Sequence, residues 1–110
     1  MREIPLQNIP NQEVETVINS TVFNIRLHTI RQITVADVYI NRALICAGVR
    51  CVPGIPLIPL PYVAEQYGNF IFWCLDANYP VYELFGASQR LLYLSPGELS
   101  TLAATRAARG

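Results

Sequence analysis

The residues able to do chemistry are few and scattered. His28 is the sole histidine, and the pattern around it places it on the polar side of an extended run, with no nucleophile beside it in sequence. General-base catalysis needs an acceptor within hydrogen-bond reach of the proton it removes. His28 therefore reads as a surface or rim residue. Cys46, Cys51 and Cys74 are an odd set, which cannot make a complete disulfide framework. Cys46 and Cys51 are too far apart in sequence for a C-x2-C zinc knuckle, and one histidine elsewhere completes no ligand set. All three cysteines have apolar neighbours and are expected to be buried free thiols. Asp37, Glu65, Asp76 and Glu83 form no carboxylate pair. Gly68, Gly86 and Gly97 form no phosphate cradle. No catalytic, cofactor or metal site is expected.

The chain around these residues is apolar for its size. Of its 110 residues, 52% are hydrophobic and 15% charged, and the formal net charge is zero. The length suits a single domain spanning 1–110. No run reaches the roughly 20 apolar residues of a membrane-spanning helix. Arg2, Glu3 and Pro5 do not make a secretory leader. Lysine is absent, so every positive side chain is an arginine, which suits planar ion pairs at interfaces. A neutral chain lacks the basic excess of nucleic-acid binders. The surplus apolar surface points instead to a subunit interface.

The pattern along the chain is mostly that of strands. Residues 1–11, with Pro5 and Pro10 around Ile4, Leu6 and Ile9, read as an extended lead-in, at most an edge strand. Residues 13–18 and 21–29 alternate polar and apolar around the turn Asn19-Ser20, as a hairpin does. Residues 33–40 and 43–49 follow as two further strands joined at Asn41-Arg42. Residues 66–69 read as a loop with Gly68 at positive φ. Residues 70–75 are apolar on both faces, as in a central strand. Residues 76–80 make a turn, 82–85 a short extended piece, and 90–94 the last strand. Ser95, Pro96 and Glu98 carry the N-cap, N1 and N3 signals of a short helix in 95–110, with Leu99, Leu102 and Ala103 on its apolar face and Arg106 and Arg109 near its end.

Between the two sets of strands lies Cys51-Val-Pro-Gly-Ile-Pro-Leu-Ile-Pro-Leu-Pro-Tyr62. Pro53, Pro56, Pro59 and Pro61 fix φ and remove backbone donors, which excludes a helix here and argues against a central strand. Ile55, Leu57, Ile58 and Leu60 make it an apolar strap rather than a linker. Either it crosses over and packs its own core, or a partner covers it. On an extended chain these four cannot face one way, so some should point inward and at least one outward. The fold class expected is mainly β: a small antiparallel barrel or sandwich with a proline-rich extended crossover and a short C-terminal helix. Tyr62, Tyr67, Tyr79, Tyr82, Tyr93 and Trp73 read as core and interface aromatics.

Several ordered motifs resemble a known family. They are Arg2-Glu3-Ile4-Pro5-Leu6-x-x-Ile9-Pro10-Asn11-Gln12, Gly48-Val49-Arg50-Cys51-Val52, Gly54-x-Pro56-Leu57-Ile58-Pro59, Gly68-Asn69-Phe70, Asp76-x-x-Tyr79-Pro80-x-Tyr82, and Phe85-Gly86-x-x-Gln89-Arg90-Leu91-Leu92-Tyr93. Together they look like the small plug protein of tailed-phage, cyanophage-type baseplates over most of residues 2–96. The chain departs from that pattern at 30–37 and in its alanine-rich tail. The resemblance implies a β-rich structural subunit of a contractile-tail baseplate at its central hub. It implies no catalysis and no cofactor. The partners implied are hub, tail-tube and spike-proximal subunits in a symmetric assembly of several copies. Neither nucleic acid nor membrane is expected as a partner. The location implied is the virion, and the host cytoplasm during assembly. The residues expected at the interface are Ile4, Leu6, Ile9, Ile55, Leu57, Ile58, Leu60, Tyr62, Tyr79 and Tyr82. Two rival readings are a single-stranded nucleic-acid-binding β-barrel, using the aromatics as stacking platforms, and a small enzyme built on His28 and the cysteines.

Overall fold

The computed structural model describes residues 2–76 and 78–99. Its strands are β1 (Arg2–Ile4), β2 (Gln12–Ile18), β3 (Thr21–Ile30), β4 (Ile33–Ile40), β5 (Ala43–Arg50), β6 (Asn69–Cys74) and β7 (Gln89–Leu94), and a helix, α1 (Pro61–Tyr67), precedes β6. They form two antiparallel sheets, ordered β2-β3-β4-β5 and β1-β7-β6. Of the two architectures expected, the fold is the sandwich. The lead-in contributes an edge strand, β1, paired to β7.

Alternation builds the core between the sheets. Phe23, Ile25 and Leu27 of β3 and Ala36, Val38 and Ile40 of β4 point inward. They meet Ile4, Phe70, Phe72, Leu91 and Tyr93 of the smaller sheet. Phe23, Phe70 and Tyr93 have ring centroids 5.3–5.7 Å apart with tilted or edge-on planes, the arrangement that aromatic quadrupoles favour. The inward pattern of β4 is hard to see in the sequence because Thr34 takes an inward position. Its buried hydroxyl donates to the Pro80 carbonyl at 2.8 Å.

The three hairpins of the larger sheet close through two-residue turns with positive φ at both central residues: Asn19-Ser20, Arg31-Gln32 and Asn41-Arg42. That is the signature of type I′ turns, whose twist matches that of the strands. Asn tolerates this conformation, whereas Arg31 and Gln32 adopt it without help from their side-chain type.

The strap lies along the open edge of β6 and is not extended throughout: it turns at 52–55, where Gly54 has φ +71° and Ile55 N–H donates to Val52 O at 3.2 Å. Gly54 N–H donates to Phe72 O at 3.0 Å and Leu57 N–H to Phe70 O at 2.8 Å. The Asn69 carboxamide completes the seam: its Oδ1 accepts from Ile58 N–H and its Nδ2 donates to Ile58 O, both at 2.9 Å. Thus β6 is not a central strand, as its composition suggests; β7 is central, and the strap takes the place beside β6. Strand pairing cannot continue through the prolines, so the side chain of Asn69 supplies what a neighbouring peptide would.

Two further elements differ from expectation. Residues 61–67 form α1 where the strap and then a loop were expected. Pro61 stands in its first turn, where a missing N–H costs nothing, and Val63 and Ala64 both donate to Leu60 O at 3.1 Å. Residues 82–84 form a 3₁₀ turn instead of an extended piece. Gly68 ends α1 at φ +95°, and a Cβ there would sit 2.5 Å from Leu94 O and 2.6 Å from Tyr93 Oη, so only glycine fits. A helix opens at residues 96–99, capped reciprocally: Ser95 Oγ accepts from Glu98 N–H and Glu98 Oε1 from Ser95 N–H. Its expected continuation, with Leu102, Ala103, Arg106 and Arg109, lies outside the described residues.

Two stability effects follow. Asn69→Ala leaves the buried N–H and C=O of Ile58 without partners and should cost about 1–3 kcal/mol in urea denaturation; an unchanged midpoint would show that the seam contributes nothing. Replacing Arg31-Gln32 by Asn-Gly should raise stability by roughly 1 kcal/mol, because the left-handed penalty of ordinary side chains is relieved. The thermal midpoint reads that gain directly.

Candidate interaction surface

Among the described residues the fold brings His28 and Asp37 together but gathers no cluster of three or more His, Cys, Asp or Glu that could hold a metal ion. His28 and Asp37 are cross-strand neighbours on the outer face of the larger sheet, with Nε2 and Oδ2 3.2 Å apart. Asp37 Oδ1 also accepts from Gly48 N–H at 2.8 Å. Asp37 therefore fastens the irregular stretch of β5, where the register with β4 shifts. Cys46 pairs with Val38, which points into the core, so it lies on the opposite face from His28.

The thiols are free, but only Cys51 is fully buried; Cys46 and Cys74 are half-buried. Burial pushes the Cys51 thiol from an ordinary 9.0 up to about 12, with Cys74 close enough to add to the shift. Burial, with help from the Asp76 charge, pushes Cys74 up to about 11. A neutral thiol is a poor nucleophile. Asp76 is held below the usual carboxylate range by the Asn78 N–H and the Ser88 hydroxyl, a turn-building role. Glu65 and Glu83 are exposed on α1 and on the 3₁₀ turn.

The arginines are dispersed rather than pooled. Arg26 pairs with Glu13 at 3.4 Å, Arg90 with Glu3 at 3.3 Å, and Arg50 lies 4.6 Å above the Tyr79 ring. A single-strand-binding groove combines stacking aromatics with a continuous positive track; here each of these cations meets an acid or a ring.

What the surface does carry is apolar. Ile55, Tyr62, Trp73, Leu75 and Tyr79 are each more than half exposed. They come from the strap, α1, the end of β6 and the loop beyond. Ile55 also borders an open groove of about 490 Å³, formed mainly by Ile55, Pro56, Ile58, Pro59, Pro61 and Ala64, with Pro96 and Leu99 also lining it. The strap prolines fix its shape, and the Asn69 seam fixes its position on the sandwich.

The residues expected at an interface divide three ways. Ile9, Ile55, Tyr62 and Tyr79 are exposed. Leu6, Leu60 and Tyr82 are half-buried against the core. Ile4, Leu57 and Ile58 are buried in the chain's own core, at 1–3% exposure, with Ile58 forming part of the floor of the groove. Trp73 and Leu75 are exposed as well, although neither is among the ten residues expected at the interface. Alternation with Phe70 and Phe72 could have placed Trp73 on the outer face, had β6 not been read as covered on both sides.

A two-sheet β domain with an apolar, proline-stiffened surface is a shape suited to structural, assembly-type roles. A family model described as cyanophage baseplate Pam3 plug gp18 matches residues 1–96. That span is most of the chain, and the protein belongs to this family of baseplate plugs. The family is a structural one, a component of the phage tail baseplate, which places its members in the virion alongside other baseplate proteins. A search of curated proteins gave no match. No helix among the described residues is long and apolar enough to cross a membrane.

The thiols supply a pH test. Their pKa values are raised on folding, so the folded state keeps protons that the unfolded state releases. The stability they contribute is complete below about pH 9 and is lost as pH rises towards about 12. Cys51→Ala should flatten that alkaline decline, read as the thermal midpoint against pH from neutral to alkaline conditions. In the native protein at neutral pH, a thiol reagent should label Cys51 last.

Proposed function

We propose that the chain is a plug-like structural subunit at the central hub of a contractile-tail baseplate. It binds neighbouring hub, tail-tube or spike-proximal subunits, in several copies, through the strap side of the sandwich. Residues 1–110 act as one β-rich unit with its lead-in and C-terminal segment. The observation that carries this reading is the pairing of the family match with a stiff apolar groove lined by Ile55 and the strap prolines. A proline-fixed surface loses little conformational entropy on docking, so more of its contact energy appears as affinity. Tyr62, Tyr79 and Trp73 offer the amphipathic rings enriched at interface centres. In this role the protein takes no cofactor, performs no reaction and engages neither nucleic acid nor membrane. It is made in the host cytoplasm and ends in the tail.

In this reading Ile55, Tyr62, Tyr79 and Ile9 make the contact, Leu6, Leu60 and Tyr82 form its rim, and Ile4, Leu57 and Ile58 hold the platform from within. Folding and docking are therefore separable by mutation. Leu57→Ala should cost about 2–5 kcal/mol of stability, as buried aliphatic truncations do. Ile55→Asp should leave the melting curve within about 0.5 kcal/mol of the parent, as surface changes do, yet abolish incorporation into tails, because an unpaired charge in an interface is costly. Rescue of infectious particles by each variant, beside its circular dichroism melt, makes the comparison. An Ile55→Asp chain that folds and assembles normally removes the strap from the interface.

A further inference from the structure

A sheet edge presents unpaired N–H and C=O groups, which a fold covers, blunts or offers to a partner. Each sheet here has two edges. The strap covers that of β6. β1 is three residues long and is followed directly by Pro5, which has no N–H. β5 is broken by register shifts against β4, and its Gly48 N–H is turned onto Asp37. That leaves β2. It keeps unbroken register with β3 from Gln12 to Ile18, and among the described residues no backbone hydrogen bond reaches its other side.

Beside this edge lies a cleft of about 370 Å³, lined by Pro5, Gln7, Ile9, Gln12, Glu13, Val14 and Glu15. Consecutive residues of β2 line it, and consecutive residues face opposite sides of a sheet. The cleft therefore lies along the edge and not over a face. Its far wall is the lead-in, which does not pair with β2. It is held off by the Gln12 carboxamide, which accepts from Gln7 N–H at 3.0 Å and donates to Gln7 O at 2.7 Å. The space is open to an extended chain.

The side chains along the edge specify what that chain carries. Glu13 and Glu15 share the outer face. Glu13 is half-exposed beside Arg26, and Glu15 is exposed with no partner among the described residues. Val14 lies on the other side, with Ile9 and Pro5 across the cleft. A strand added here places alternate residues beside the two carboxylates and the intervening ones beside Val14 and Ile9. A second copy of β2 fits poorly, since full-length antiparallel self-pairing sets Glu15 against Glu15, and like charges directly opposite are destabilising.

We infer that the β2 edge is a strand-addition site for an extended segment of another baseplate protein in which Arg or Lys alternates with aliphatic residues. Main-chain pairing supplies affinity and the alternation supplies specificity. The inference rests on reading the chain as an assembly subunit, but its test uses the isolated full-length protein.

The probe is a synthetic peptide alternating valine and arginine, long enough to span Gln12–Ile18. Its valine–glutamate counterpart and an N-methylated valine–arginine version are the controls. Amide hydrogen exchange and chemical-shift titration by NMR are the readouts. The valine–arginine peptide should slow exchange within β2 and shift signals there and at residues 5–9. The N-methylated peptide should do neither. Glu15→Arg breaks no bond among the described residues, so it should melt like the parent. It should nevertheless weaken the valine–arginine peptide about tenfold and favour the glutamate peptide, because cross-strand charge pairs reverse. Absence of β2 protection, protection indifferent to Glu15→Arg, or self-association through β2 each overturns the inference. Such a failure leaves the Ile55→Asp assembly phenotype standing, and loss of that phenotype leaves the peptide titration standing.

Discussion

Proline-rich segments in this protein run against sheets that they cannot join by a regular ladder, and side-chain carboxamides make up the difference. A carboxamide presents a donor and an acceptor side by side, as a peptide group does. Asn69 pairs with both backbone groups of Ile58 in the strap. Gln89 accepts from Val81 N–H and donates to Tyr79 O, on either side of Pro80. Gln12 does the same for Gln7 in the lead-in, and Asn8 Nδ2 donates to the carbonyls of Tyr82, Glu83 and Phe85. Asn69 and Gln89 are 2% and 0% exposed. Buried polar groups of this kind are costly when unpaired and specifying when satisfied. The three irregular segments, lead-in, strap and the loop after β6, are each tied to the sandwich by one or two such side chains.

The same arrangement shapes the surface. With the strap seated on β6, Leu57 and Ile58 complete the core while Ile55 is turned out. The prolines between them keep that partition from relaxing, since each has one accessible φ. The groove beside α1 is therefore built in advance rather than formed on contact. Seating the strap also closes one sheet edge, and holding off the lead-in leaves another open. Where this chain can be touched, and by what kind of surface, traces back to where its prolines interrupt pairing. A surface fixed in this way has little ordering left to do on contact.

The larger sheet was legible in the amino-acid sequence almost residue by residue. Glu13 to Thr29 alternates cleanly, the Asn-containing turns punctuate it, and hairpin pairing is local, so pattern and turn chemistry suffice. The Ser95–Glu98 capping box was equally plain, since all its partners lie within one helical turn. The resemblance of the motifs between residues 2 and 96 already pointed to the baseplate plug family, which the family comparison then established. What misled was proline. Pro61 was counted with the strap, although in a first helical turn the same missing N–H starts a helix. The apolar composition of Phe70–Leu75 suggested a central strand, because a strand covered by a proline-rich strap and one covered by another strand bury the same residues.

The amino-acid sequence by itself determined the β class and the hairpins, since each depends on neighbours a few positions apart. Only the tertiary structure decided which strap residue faces outward, which thiol is buried, and that Asn69 and Gln89 are structural keystones. Those outcomes depend on contacts between residues far apart in the chain. Asn8 reaches Phe85, Thr34 reaches Pro80, and Gly54 reaches Phe72. A carboxamide in a sequence looks the same whether it faces water or stands in for a missing strand, and only the approach of a particular backbone segment distinguishes the two.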